Sequence, residues 1–393
     1  MTITNPIFAL FATAVALLSF WCINTSHRSL IEKGRNDSID GLRGYLAFFV
    51  FLHHSLVWYF YIKTGNWSVL DSHFYNHLGQ TSVVFFFMIT GFLFYAKLLN
   101  KDKDIDWARL FLSRVMRLFP LYLFSIGLLI AIVAFLTDWQ LNESFLTLIK
   151  HVMQWVGFSI VDSPDINKLN QTIMINAGVT WSLAYEWFFY FSLPLMALLL
   201  NFKSNSKHDF RYILISILGM LFIFMYQPQV ITAKAFLTGM CAAHLVKYNK
   251  IRTIAQTRIA SILIIATLFA AITLSSTAYG KIPLGLLSIA FILIACGNTL
   301  FGVLTQPLSR AFGEMAYSVY LLHGILLFVV LRLIIGLDKL KSFTVTEYWA
   351  LIFLLCPVLV IVCRTTFKLI EYPSMHSTDK ILSWLRTKFI KNA

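Results

Sequence analysis

"GLRGYLAFFVFLHH", residues 41–54, places an arginine at the foot of nine almost wholly apolar residues and closes the run with two histidines. The apolar character continues to Ile62. A helix over 44–62 is about 28 Å long, the thickness of a bilayer's hydrocarbon core. The stretch therefore reads as a membrane helix with one ionisable group at its foot and another near its middle. The whole chain agrees. Its 393 residues are 58% hydrophobic and only 13% charged, and its mean hydropathy is +0.73. Too few polar residues remain to cover a soluble surface, so an all-α polytopic membrane protein is expected.

That class changes the meaning of the formal net charge of +14. In a membrane protein Lys and Arg gather in cytoplasmic loops, and some of them meet anionic ligands, so the charge does not point to nucleic acid. Cys22, Cys241, Cys296, Cys356 and Cys363 all sit in apolar runs with no CxxC pair. They read as small buried hydrophobes rather than as a disulfide or metal set.

Apolar runs of spanning or near-spanning length occur at 7–23, 44–62, 79–99, 118–136, 181–200, 211–226, 229–246, 259–275, 283–304, 316–336 and 347–370. About 11 transmembrane helices are expected. The segment 145–161 contains Lys150 and His151 and is only moderately apolar; it is expected to be interfacial or re-entrant. The loop charges favour this. Arg28, Lys33, Arg35 and Arg43 follow the first run, and Lys101, Lys103, Arg109, Arg114 and Arg117 follow the third. With both groups cytoplasmic, the N-terminus lies outside. Lys203, Lys207 and Arg211, the basic loop 247–258 and the basic tail after 371 then also fall inside, provided that 145–161 does not cross. The N-terminal MTITN has no basic residue, and no clear small-residue cleavage site follows 7–23, so that run reads as a retained helix. No long linker or repeat interrupts the chain, and the tail after 371 is too short for a second folded domain. Residues 1–393 are expected to form a single integral membrane domain.

Arg43 and His54 are eleven residues apart, about three helical turns with roughly 20° of offset. They share a face, separated by about 16 Å along the axis, and His53 points about 100° away. Arg43 reads equally as a positive-inside anchor, and His54 as an interhelical hydrogen bonder. Yet ionisable groups at mid-depth are costly and commonly line functional cavities, and histidine is the side chain suited to taking and returning a proton near neutral pH. Helix geometry leaves the two readings level. Glu186, in "WSLAYEWFFYFSLP" (181–194), reads as the one acid inside a clear span. It lies about 8 Å below the outer boundary and is either a functional carboxylate or the partner of a structural lysine such as Lys234. His323, in "YSVYLLHGILL", is a third polar intruder with the same two readings. Lys234 and Arg332 lie near helix ends, where snorkelling accounts for them. Arg114 and Arg117, three apart in "SRVMRLFPLY", share a helix face. They are positive-inside residues by composition, and with Arg43 they also suit a multiply phosphorylated cytoplasmic ligand.

Six motifs in order give the chain a resemblance to acyltransferase family 3, integral membrane O-acyltransferases, over about residues 38–374. "IDGLRGYLAFFVFLHH" resembles the family's first helix, with Arg, ten residues and His matching Arg43 and His54. "FFFMITGFLFY" (85–95), "RVMRLFPLY" (114–122), "WSLAYEWFFY" (181–190), "AYSVYLLH" (316–323) and "LIEYP" (369–373) are similar to its later motifs. The chain departs from the pattern in the extra helix at 7–23 and in reading "GQTSVVFFF" where a Gly-x-Asp commonly precedes the FF run. The resemblance implies transfer of an acyl group, usually acetyl, from cytoplasmic acyl-CoA to a hydroxyl of an extracytoplasmic or lipid-linked glycan. With that reaction, His54 is expected either to act as general base on the acceptor hydroxyl or to carry the acyl group covalently, with Glu186 orienting His54 or binding the sugar. The resemblance implies Arg43, Arg114, Arg117 and Tyr122 at the acyl-CoA, with Asp40 and His323 as possible additional site residues. Trp181 and Trp187 are candidates for the sugar side. Acyl-CoA is a substrate here; no resident cofactor and no metal is expected. The implied location is a bacterial inner membrane. Two other classes compete: a proton-coupled small-solute transporter, against which the lack of an internal repeat counts, and a scaffold or export component in which the polar groups are structural only.

Overall fold

The structure is a computed structural model that describes residues 2–24, 36–68, 71–100, 105–200, 209–226 and 230–389. Arg28, Lys33, Arg35, Lys101, Lys103, Lys203 and Lys207, which entered the orientation argument, lie outside those residues. The chain orders its helices as α1 (Pro6–Ile23), α2 (Asp37–Thr64), α3 (His73–Leu98), α4 (Trp107–Leu136), α5 (Phe145–Val156) and α6 (Trp181–Leu199). There follow α7 (Asp209–Tyr226), α8 (Val230–Leu245), α9 (Asn249–Ala255), α10 (Arg258–Leu274), α11 (Lys281–Ala295) and α12 (Pro307–Glu314). The last are α13 (Ala316–Phe328), α14 (Leu337–Lys341), α15 (Val345–Thr366), α16 (Tyr372–His376) and α17 (Thr378–Phe389). No strand occurs among the described residues.

Each of the eleven apolar runs forms a helix, and the chain is a polytopic helical membrane protein, but eleven full crossings are not what the helices provide. Among the described residues, seven are long and apolar enough to cross, and an eighth is counted if α9 and α10, bent by 71° at their junction, are one span. The shortfall has a geometric cause. α11, whose two ends are both described, has 15 residues, about 23 Å of helix against a core of roughly 30 Å. The expected run 283–304 stops at Ala295 because Gly297 takes a φ of 105°. Asn298 then holds the turn, donating to the Ala255 carbonyl and accepting from the Leu300 amide. α5 has 12 residues, about 18 Å, too short to cross. At the other extreme, α13 runs on through a π-helical segment at Val329–Ile335, and α15 through another at Phe367–Glu371. Cys296, Cys356 and Cys363 are buried as expected, whereas Cys22 and Cys241 are exposed; all five are free thiols.

The chain divides into two compact units. The first comprises Met1–Ala96 and Gln229–Cys363. Here α2 is the central element, and glycines let its N-terminal turns approach their neighbours at backbone distance. A Cβ on Gly41 would fall 1.9 Å from the Leu304 carbonyl oxygen, and one on Gly313 of α12 would fall 1.8 Å from that of Asp40. Arg310 pairs with Asp37 at 2.9 Å beside the same crossing. The expected extra helix, α1, is held to α15: Trp349 donates its indole hydrogen to the Ile3 carbonyl at 3.0 Å and stacks on Phe8.

The second unit comprises Lys97–Pro228 and Arg364–Ala393. α4 starts behind Asp106, whose side chain accepts the Arg109 amide hydrogen. The last helix is clasped to this start by a bidentate Arg109–Asp379 pair and by Arg386–Asp106 at 2.7 Å. Residues 137–180 are organised by Asn167, which sits at a φ of 53°. Its amide donates to Thr137 Oγ1 and the Gln140 carbonyl, and its side-chain oxygen accepts from the Asn142 amide.

Candidate functional site

The first unit contains Arg43, His54 and His323. Arg43 and His54 lie on one face of α2, as their spacing requires. α13 begins two residues after α12 ends, so the glycine-mediated packing of α12 on α2 also delivers α13 to α2. It brings His323 to His54: Nδ1 of His54 lies 2.9 Å from Nε2 of His323, with ring centroids 5.0 Å apart and nearly parallel. Each ring also reaches back one turn. His54 Nδ1 is 3.1 Å from the Val50 carbonyl oxygen, and His323 Nδ1 is 2.9 Å from that of Val319. His323 is completely buried, whereas His54 is only partly so. Nε2 of His54 has no hydrogen-bond partner among the described residues. The ring thus presents one engaged nitrogen and one nitrogen that can take a proton.

His53, next in sequence, is placed differently. Its Nδ1 is 2.9 Å from the Tyr75 carbonyl oxygen, and its ring packs so closely on α3 that a Cβ on Gly79 would come within 2.6 Å of it. His53 fastens α2 to α3. Asp40 occupies the first turn of α2, and its carbonyl oxygen is the atom that abuts Gly313.

The second unit contains Glu186, Arg114, Arg117 and Tyr122. Glu186 accepts a hydrogen bond from Tyr190 Oη at 2.9 Å, one turn along α6, and the Arg114 guanidinium lies 6.0 Å from the Tyr190 ring centroid. The i, i+4 spacing of Glu186 and Tyr190 was visible in "WSLAYEWFFY". Arg117 is 8% exposed and faces Glu371 at 3.6 Å, with the Met375 sulfur also against its guanidinium. Tyr122 is fully buried; its hydroxyl donates to the Trp155 carbonyl at 2.5 Å, and its ring stacks on Phe158. Both side chains are thereby committed to internal partners, Tyr122 tying the end of α5 to α4. Trp187 is buried against Phe158, Tyr190 and Phe191, and Trp181 lies beside Tyr185.

One reading of the sequence needs correction. Glu186 is not the one acid within an apolar helix: the helix begun at Val345 carries Glu347 in its first turn and continues past 370 through Glu371, which is 1% exposed. The IE-x-P motif contained that residue, but the apolar run was ended one position too early. The group that engages Nδ1 of His54 within the first unit is His323. Among the described residues, no cluster of three or more His, Cys, Asp or Glu is set to hold a metal ion.

A family model described as "Acyltransferase domain", that of acyltransferase family 3, matches residues 36–366. No curated protein and no solved structure matches the chain.

Proposed function

The chain belongs to acyltransferase family 3 and is a membrane acyltransferase, and from that premise we propose that it moves an acyl group, acetyl in the usual case, from acyl-CoA to a hydroxyl of an extracytoplasmic or lipid-linked glycan. His54 is the general base. The observation that carries this reading is the asymmetry of its ring: Nδ1 held by His323 and Val50, Nε2 without a hydrogen-bond partner among the described residues. In the reaction the acceptor O–H gives its proton to His54 Nε2 while the oxygen bonds to the thioester carbonyl carbon. The tetrahedral intermediate collapses with cleavage of the C–S bond, and His54 Nε2 returns the proton to the departing CoA sulfur. The products are the ester and free CoA thiol. Positioned proton transfer of this kind contributes about 10²–10⁴-fold in rate.

Arg43 and Arg114 are assigned to the phosphates of acyl-CoA, for which planar bidentate guanidinium groups are suited. Arg117 serves the same end through Glu371, fixing the α4 turn from which Arg114 projects, and Tyr122 fixes the next turn. Glu186, with Tyr190, is assigned to the acceptor's hydroxyls. The N-terminus is outside, the basic segments and the C-terminus are cytoplasmic, and the membrane is a bacterial inner membrane.

The test is CoA-thiol release from acetyl-CoA by the purified protein in lipid, with crude envelope glycan as acceptor. Release that requires glycan and disappears in His54→Ala, with the variant folded and inserted, supports the reading. Weakened acetyl-CoA affinity in Arg43→Ala assigns the donor. Undiminished release in His54→Ala refutes the base.

A further inference from the structure

The hydrogen bonds around the two histidines specify more than contact. A carbonyl oxygen only accepts. His323 Nδ1 lies 2.9 Å from the Val319 carbonyl oxygen, so Nδ1 carries the hydrogen. His323 is completely buried in an apolar helix and has no acidic partner among the described residues, so it is held neutral, as a lone charge there is costly. A neutral imidazole with hydrogen on Nδ1 offers only a lone pair at Nε2. That lone pair is 2.9 Å from His54 Nδ1, so the hydrogen between the rings belongs to His54. The Val50 carbonyl, 3.1 Å from the same nitrogen, demands the same assignment and shares the hydrogen in a three-centre bond. With its single hydrogen on Nδ1, His54 is left with its lone pair on Nε2, the atom without a hydrogen-bond partner among the described residues.

We propose that His323 is a positioning residue for the acyl transfer: through its Nε2 it fixes His54 in the Nδ1–H tautomer and so aims the basic lone pair at the acceptor hydroxyl. The inference rests on the reading of His54 as base and adds the device that makes it one. The chain of contacts runs from the Val319 carbonyl through His323 to His54, and its direction is set by a backbone atom that cannot change role. When His54 Nε2 takes the acceptor's proton, His54 becomes a cation whose Nδ1–H still donates to His323, and that bond is strengthened by the charge. A neutral ring thus does the orienting, and no buried negative charge is needed behind the base.

The experiment has a spectroscopic and a kinetic arm. The protein is labelled with ¹⁵N-histidine in lipid, and the His54 signals are identified by their loss in His54→Ala. In the wild type the proposal expects a protonated Nδ1 and an unprotonated Nε2. In His323→Leu the pattern becomes mixed or reverses, and kcat falls by about 10²-fold or more while KM for acetyl-CoA stays near that of the wild type. His323→Gln, whose side-chain oxygen can accept from His54 Nδ1–H, restores both the tautomer and most of kcat. A wild-type His54 protonated at Nε2 overturns the proposal, and so does a His323→Leu enzyme with the kcat of the wild type. If His323→Leu does not fold, the wild-type spectrum still decides. The expected nitrogen pattern in a protein that transfers no acyl group upholds the tautomer assignment and refutes the acyl-transfer reading of His54.

Discussion

Replacing Gly313 by alanine puts a methyl group where a carbonyl oxygen already is. The added Cβ would lie 1.8 Å from the Asp40 oxygen, and real Cβ atoms essentially never come within 3.0 Å of a neighbour. α2 and α12 must therefore part by at least 1.2 Å, the difference between these distances. Both partners are helical backbone, which has no rotamer to yield. Overpacking of this kind costs about 1–3 kcal/mol. The catalytic effect is expected to exceed the stability effect, because α2 carries His54 and α12 leads directly into α13, which carries His323. If half the displacement reaches that pair, its 2.9 Å contact lengthens to about 3.5 Å, past the usual N–H bonding range. Misplacement by about 1 Å can cost about 10²-fold in rate. The assay compares Gly313→Ala with Gly285→Ala in lipid, measuring thermal unfolding and acyl transfer per folded molecule. Gly285 is the control, since a Cβ there meets nothing within 4 Å. It lies within α11, so alanine should stabilise by about 0.5–1 kcal/mol. Gly313→Ala with an unchanged Tm and unchanged transfer would refute the argument that backbone approach at this crossing sets the histidine geometry.

Three further outcomes are expected. His53→Ala removes the bond to the Tyr75 carbonyl and should lower stability by about 1–3 kcal/mol while transfer per folded molecule persists; loss of transfer in the folded variant would move the base from His54 to His53. Glu371→Ala leaves Arg117 without its buried counter-charge and should cost about 3–5 kcal/mol, with Glu371→Gln milder, as read by thermal unfolding in detergent. Asn167→Ala strands the groups it joins across 137–180 and loses a residue suited to positive φ. A cost of about 2–4 kcal/mol and faster proteolysis in that segment are expected, and wild-type behaviour in both would deny Asn167 its organising role.

Periodicity and hydropathy made the helices legible, because a membrane helix must satisfy its own backbone and so announces itself locally. Where the expectation of eleven crossings failed, it failed over ends. A hydropathy run cannot see Gly297 turning the chain out of α11, nor an apolar helix continuing through Glu371. The common face of Arg43 and His54 followed from spacing alone, yet the partner of His54 did not, because His323 is 269 positions away and no local rule links them. Tyr122 shows the converse limit. Its motif was recognisable, but the atom that engages its hydroxyl, the Trp155 carbonyl, belongs to the backbone and leaves no trace in a residue pattern.

The adjacent histidines also live on different clocks during synthesis. His53 finds its acceptor 22 residues downstream, so that tie can form as soon as α3 leaves the ribosome. His54 must wait for 269 more residues, roughly 15 to 50 s at ordinary elongation rates. Throughout that interval α2 lacks the later helices that meet His54 and that pack at backbone distance on Gly41 and Gly44. His53, by pinning α2 to α3 at once, limits how far it can turn or drift before its second histidine is met.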